Sequence, residues 1–322
     1  MKVALIMGGR SGEHEVSLRT GAEVARALDE LGHERFELVL GKTGGARWPD
    51  GEGTVAQGLV ALEAYAPDVA FIAMHGPDGE DGRVQGALEL LGIRYHGSGV
   101  QASSNGLDKA RTKELFRLAG LPIARDRVID NDETPSWSAV AAELGLPLVL
   151  KTEASGSSVG VEVVRDVGTL AERGAALLAS TPRLLVEAYL PGREFTGPVL
   201  EDQDGTPRAL PIIEIKPKTA AFFDYEAKYT DGATDEICPA AIPAALEARL
   251  RDLAVRSHQA LRCGGYSRTD LKLDAHGEPF VLEVNTLPGL TRESLFPRAA
   301  KVVGMSFADL VQRLLDRAMS AS

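Results

Sequence analysis

Residues 283–291 read EVNTLPGLT and close an apolar run, PFVLEVN (279–285), that has the pattern of a strand. Side chains two apart on a strand share a face, so Glu283 and Asn285 aim oxygens to one side while Val284 turns to the other. Pro288-Gly289 then breaks the strand. Upstream, SRTDLKLD (267–274) offers Asp270 on a second strand-like run, joined to the first by the turn DAHGEP (274–279). A hairpin of the two sets Asp270 beside Glu283. Hard oxygen donors of this kind suit Mg²⁺, which takes one or two carboxylates and fills its other positions with phosphate and water.

The chain has 322 residues, enough for two or three domains with cores of their own, and its 44% hydrophobic and 25% charged content is that of a globular protein. A net charge of −11 argues against nucleic acid or an anionic membrane as the main partner. The N-terminal apolar run is too short for a signal peptide, and no run of about 18 apolar residues suggests a membrane span. Cys238 and Cys263 lack paired metal or redox spacing, so two reduced thiols in a cytoplasmic protein are expected.

From residue 1 to 103, short apolar strands (KVALIM, FELVL, DVAFIAM, IRYHGS) alternate with helical patterns (SLRTGAEVARALDELG, GRVQGALELLG). Such alternation predicts a parallel, Rossmann-like α/β unit whose binding edge lies in the loops after the strands, here GGRSGEHEVS (8–17) and HGPDGEDG (75–82). Residues 104–187 read as a second, α+β unit: helix LDKARTKELFRLAGL, strand PLVLK, the small-residue loop TEASGSSVGV, a helix near 168–180 and strand RLLVEAYL. Residues 188–322 mix antiparallel strands with helices and carry the opening hairpin. Within them 219–239 is aromatic and charged without clear periodicity, the profile of a functional lid.

Several motifs are ambiguous one at a time. The loop around Gly156, Ser157, Ser158 and Gly160 after Lys151 has the small residues that let backbone N–H groups approach a phosphate, yet it would serve equally as a hairpin turn. It is not a P-loop, because no Gly-Lys-Ser/Thr follows. The strand RLLVEAYL with Glu194 beyond it suits a purine edge and ribose hydroxyls, or an edge strand with solvated acids. Lys109 and Lys113, four apart on one helix, read as a solvated face.

Taken together, the order of lysine, lysine with glycine-serine loop, strand plus acid, and Asp…Glu-x-Asn resembles the ATP-grasp superfamily, which clamps ATP between two α+β domains. GGRSGEHEVS, HGPDGEDGRVQGALE, GSGVQASSNGLDKARTK, GSSVGV, GREFTGPVL, DYEAKY, SRTDLKLD and EVNTLPGLTRESLFP together resemble the motif series of the D-alanine–D-alanine ligases, collinear from residue 4 to about 310. The resemblance implies an ATP-dependent ligase that makes D-alanyl-D-alanine through an acyl phosphate for peptidoglycan precursors. Lys109, Lys151 and the loop with Ser158 would meet the phosphates; Glu187, Tyr189, Leu190 and Glu194 would hold adenine and ribose. Asp270, Glu283 and Asn285 would bind two Mg²⁺, with Mn²⁺ as a substitute. Glu13 and His75 would receive the first D-alanine, and Lys228, Ser294 and Leu295 the carboxylate of the second. Arg268 and the Gly289 N–H would stabilise the oxyanion, and Tyr229 would link the lid to Glu13 and Ser157. The implied partners are small molecules, with the chain as a homodimer. Thr152, Ser155 and Ala188 depart from the family pattern, which commonly has proline, an acid and lysine there; they bear on nucleotide contact and loop stiffness and touch no expected metal ligand. A non-catalytic nucleotide-binding module would have no need of Arg268, Tyr229 and Ser294 together with intact metal ligands; a ligase taking D-lactate or D-serine second is a nearer alternative.

Overall fold

The computed structural model describes residues 1–152, 161–218 and 234–320. Val3–Ile6 and Val69–Ile72 are continuous apolar runs with almost no exposed surface, as expected of strands covered on both faces. They lie in β1 (Lys2–Gly8) and β5 (Val69–Ile72), and β1 runs parallel to both β5 and β2 (Glu34–Leu40). Helix α1 (His14–Glu30) follows β1 and packs on it closely; a Cβ at Gly21 would sit 2.5 Å from the Met7 sulfur. Two features depart from the parallel unit read from sequence. A hairpin, β3 (Ala46–Trp48) and β4 (Gly51–Gly53), extends the edge antiparallel to β2. The expected strand IRYHGS reduces to one parallel bridge, Tyr95 to Ala70, because Gly97 at φ +89° turns the chain away. Helix α2 (Val55–Tyr65), opened by a Thr54–Gln57 capping box, and α3 (Arg83–Leu90) complete this layer.

Helices α4 (Val100–Leu107) and α5 (Lys109–Leu118) lead into a four-stranded antiparallel sheet. Its strands are β6 (Asp126–Asp130), β7 (Leu148–Thr152), β8 (Val161–Val164) and β9 (Arg183–Ala188), in the order β6-β9-β7-β8, with α6 (Trp137–Leu144) and α7 (Val167–Leu178) on one face. Alternation divides the strands. Leu148, Leu150, Leu184 and Val186 join Val140, Leu144, Leu170 and Leu178 in the core under the helices, which leaves Val149, Lys151 and Glu187 for the opposite face.

The third sheet is antiparallel and six-stranded: β10 (Glu194–Glu201), β11 (Pro207–Ala209), β12 (Ile213–Pro217), β13 (Thr234–Ile237), then, after α8 (Ala244–Ala260), β14 (Tyr266–Leu273) and β15 (Pro279–Asn285). Leu271, Leu273, Val281 and Val284 bury against Leu250 and Leu253 of α8, turning Asp270, Lys272 and Glu283 to the other side. Helices α9 (Leu295–Val302) and α10 (Phe307–Ser320) return to the first sheet, where Phe296, Leu310, Val311, Leu314 and Leu315 share its core. Over 219–233 the lid reading lies outside the described residues; in the remainder of the stretch, 234–239, β13 pairs with β12.

Candidate active site

β14 and β15 form the hairpin that the sequence suggests, and Asp270 stands directly opposite Glu283, with Arg268 opposite Asn285. The register slips by one residue after Asp270, a β-bulge in which Leu282 is the extra residue. Val281 and Val284 are buried, whereas Leu282 and Glu283 both line the cleft; the bulge lets two consecutive side chains face the same way.

The second and third sheets bound an open cleft. Lys109, Lys151, Glu187, Tyr189, Leu190, Glu194, Asp270 and Glu283 all line it, together with Val149, Val161, Val163 and Leu282 as an apolar lining. Asn285 stands two residues beyond Glu283 on the strand, and its Oδ1 accepts the Leu287 N–H at 2.9 Å. Ser157, Ser158, Lys228 and Tyr229 lie outside the described residues.

Charges in the cleft are interleaved. Lys109 Nζ is 3.5 Å from Glu283 Oε2, and Arg268 forks onto Asp270 with two contacts of 3.0 Å. Thr196 Oγ donates to Asp270 Oδ1 at 2.6 Å from the neighbouring strand. Lys272, near the nucleoside end, pairs with Glu194 at 3.1 Å and stands 5.8 Å from the Tyr189 ring centre. At the floor of the cleft Glu187, 2% exposed, contacts Lys113 through one oxygen and lies 2.5 Å from Lys151 Nζ through the other. Burial opposes the Glu187 charge, but the two ammonium groups outweigh it and hold the carboxyl down at about 2. Burial likewise works against the Lys151 charge, and Glu187 with Glu283 overcomes it, raising the ammonium above its ordinary range.

The reading of Lys113 as a solvated lysine is thus corrected: it is 1% exposed and ion-paired. Lys113, Thr196 and Lys272 are the site residues that sequence reasoning missed. For Lys113 the available signal was its place four residues after Lys109, and for Thr196 its strand spacing of two from Glu194.

The other half of the site lies at the ends of β1 and β5. Arg10 binds Asp78 at 2.8 Å, joining the two glycine-rich loops singled out from sequence. Glu13 Oε2 stands so close over Gly76 that a Cβ there would be 2.9 Å away, which leaves Glu13 beside His75. His75 is buried, with Nε2 2.9 Å from Thr20 Oγ and Nδ1 3.6 Å from Glu80. Arg292, with contacts of 3.1 and 3.0 Å to Glu23 and Glu30 of α1, ties the 286–294 loop to this half. On that loop Ser294 Oγ accepts the Thr291 N–H at 3.1 Å and would lie 3.3 Å from a Cβ at Gly289. Ser294 occupies the N-cap position of α9 without a side-chain capping hydrogen bond and Leu295 is the first helical residue, so the orphan N–H groups of that helix start are at hand for an anion.

A cleft between two antiparallel α+β layers, with lysines at one end and paired carboxylates on a hairpin, defines a protein of the ATP-grasp class. Comparison with known proteins narrows this. Family sequence models described as "D-ala D-ala ligase N-terminus" and "D-ala D-ala ligase C-terminus" match residues 54–98 and 115–316. The D-alanine--D-alanine ligase of Desulforudis audaxviator is 44% identical over 98% of this chain and 97% of its own length. That of Syntrophobacter fumaroxidans is 45% identical over 99% and 98%. The crystal structure of D-alanine--D-alanine ligase from Bacillus anthracis complexed with ATP superposes with a TM-score of 0.82 at 31% identity, covering 99% of this chain and 97% of that one. The chain belongs to the D-alanine–D-alanine ligase family. Both cysteines are free, and burial pushes the Cys263 thiol up to about 12. Among the described residues no helix is long and apolar enough to cross a membrane.

Proposed function

We propose that this chain uses ATP to join two molecules of D-alanine into D-alanyl-D-alanine, supplying a peptidoglycan precursor in the cytoplasm. The observation that carries the reading is the convergence of eight expected nucleotide and metal residues on one cleft. Adenine lies against the valines of β7 and β8 with Leu282 opposite, Glu194 takes the ribose hydroxyls, and Lys109 and Lys151 face the phosphates. Asp270, Glu283 and Asn285 would hold Mg²⁺. Their oxygen chemistry fits it, and each carboxylate already faces a cation, Arg268 or Lys109, where positive charge would stand. When bound, Mg²⁺ neutralises developing charge on the phosphates.

A carboxylate oxygen of the first D-alanine, whose ammonium Glu13 receives beside His75, attacks the γ-phosphorus; the bond to ADP breaks and an acyl phosphate forms. The second D-alanine, its carboxylate held by Lys228, Ser294 and Leu295, presents its neutral amine to that carbonyl. The nitrogen–carbon bond forms, phosphate departs with the former carboxylate oxygen, and the amine gives up its proton. Arg268 and the Gly289 N–H offset charge on the tetrahedral oxygen. Ser157, Ser158 and Tyr229 close the site over the intermediate, since water would hydrolyse it. We assign 1–103 to first-substrate binding, 104–187 to the central nucleotide unit and 188–322 to the metal, second-substrate and lid unit, and take the working form to be a homodimer. The test is mass spectrometry of products from ATP, Mg²⁺ and a panel of D- and L-amino acids. D-Alanyl-D-alanine is expected; a different dipeptide, or none, overturns the proposal.

A further inference from the structure

Lys113 is among the largest fully buried side chains of the molecule, at 1% exposure. Lysine is almost never buried to this degree without a partner, and a buried ion pair seldom stabilises a fold more than apolar residues of like volume. Stability alone therefore gives no reason for a charge here. The surroundings do. Lys113 sits one turn along α5 from Lys109, on the same helix face. A very small cavity adjoining the main cleft has Lys109, Lys113, Lys151 and Glu283 in its lining. Glu187 lies between Lys113 and Lys151, touching the first and 2.5 Å from the second.

Counting charge explains why there are two lysines on one carboxylate. Lys151 and Glu187 alone would be neutral together and would offer a polyphosphate no net attraction. With Lys113 the trio carries one positive charge, while Glu187 still fixes where the Lys151 ammonium points. We infer that Lys113 is a positioning residue for the reaction: it cancels Glu187 from behind, so that Lys151 faces the ATP phosphates with its charge uncompensated. This rests on the proposed placement of the phosphates at Lys151. Because Lys113 is walled off from the cleft by Glu187, it acts through the field and touches no substrate.

Equilibrium competition with ATP and with adenosine, which lacks phosphates, separates charge from structure. Lys113→Met should weaken ATP by about 10- to 50-fold, the effect of one unit charge at several ångströms in a medium of effective dielectric near 20. Adenosine should change less than about 2-fold, since a neutral ligand does not sense that charge. Lys113→Gln, which keeps a hydrogen-bond donor for Glu187 and loses only the charge, should behave alike and serves if the methionine variant folds poorly. Lys113→Met/Glu187→Gln returns the trio to one positive charge and should recover most of the lost ATP affinity. Equal loss for ATP and adenosine, no loss at all, or a double variant weaker than the single would overturn the inference. Lys151→Met identifies which claim has failed: if it leaves the ATP-to-adenosine ratio unchanged, the phosphates lie elsewhere and the placement itself is wrong. If it collapses the ratio while the Lys113 variants do not, only the role of Lys113 falls.

Discussion

Replacing Glu187 with glutamine should destabilise the free enzyme by an amount that follows from its surroundings. The carboxyl is 2% exposed and sits between two ammonium groups, which bring it from an ordinary 4.5 to about 2. That depression corresponds to about 3 kcal/mol of stability at neutral pH, in line with the cost of breaking a buried ion pair. The sign is fixed by linkage: the folded value is the lower one, so the contribution is fully present above 4.5 and is lost as pH falls through about 2. At pH 3 less than half of it should remain. For a chain of this length the neutral-pH loss corresponds to a fall in Tm of roughly 4–5 °C. Thermal and urea unfolding of Glu187→Gln beside the wild type at pH 7 and pH 3 measures both quantities. ATP should narrow the gap, because phosphates supply the counter-charge that the two lysines have lost. A Tm within about 1 °C of wild type at pH 7, or a gap that widens toward pH 3, would refute the reasoning.

Thr196→Val removes the 2.6 Å hydrogen bond to Asp270 and should weaken binding of Mn²⁺, followed by its electron paramagnetic resonance, by about 10-fold; unchanged Mn²⁺ affinity would deny Thr196 that role. Arg268→Met should lower kcat by about 10²–10³ with ATP affinity nearly unchanged, and a loss confined to ATP binding would move Arg268 from the chemistry to the nucleotide. In direct competition between D-alanine and D-lactate, the dipeptide should predominate across roughly pH 6–8. The expectation comes from the resemblance: residue 229 is a tyrosine, and related enzymes that make D-alanyl-D-lactate generally carry a histidine in the corresponding lid region, whose charge would repel an incoming ammonium. Predominant D-alanyl-D-lactate near pH 6 would contradict this.

What the sequence made legible follows physical distance along the chain. The hairpin of β14 and β15 is local and strictly patterned, so the facing of Asp270 and Glu283 could be read from alternation and one turn. The bulge at Leu282 could not, because a run of apolar residues does not say where a strand gains an extra residue. Strands β1 and β5 stand out as continuous apolar runs, whereas β3, β4 and β11 are three-residue pieces whose pairing depends on partners brought in by the fold. Helix α6 and strand β6 are short and went unread among ordinary loop residues. Lys113 shows the limit most plainly. Helical spacing puts it on the face of Lys109, but only the arrival of β9 from 70 residues away makes that face the interior, since Glu187 then lies against it. The packing of α9 and α10 on the first sheet is likewise a long-range fact, linking the last 30 residues to the first 100.

The central claim is that ATP activates a D-alanine carboxylate before the second amine attacks. Incubation with D-alanine labelled with ¹⁸O in its carboxyl group, followed by location of the label in the products, tests it most directly. One ¹⁸O atom should appear in inorganic phosphate for each D-alanyl-D-alanine formed, with ADP as the nucleotide product. Label in AMP, or dipeptide formed with no ¹⁸O in phosphate, would contradict the account.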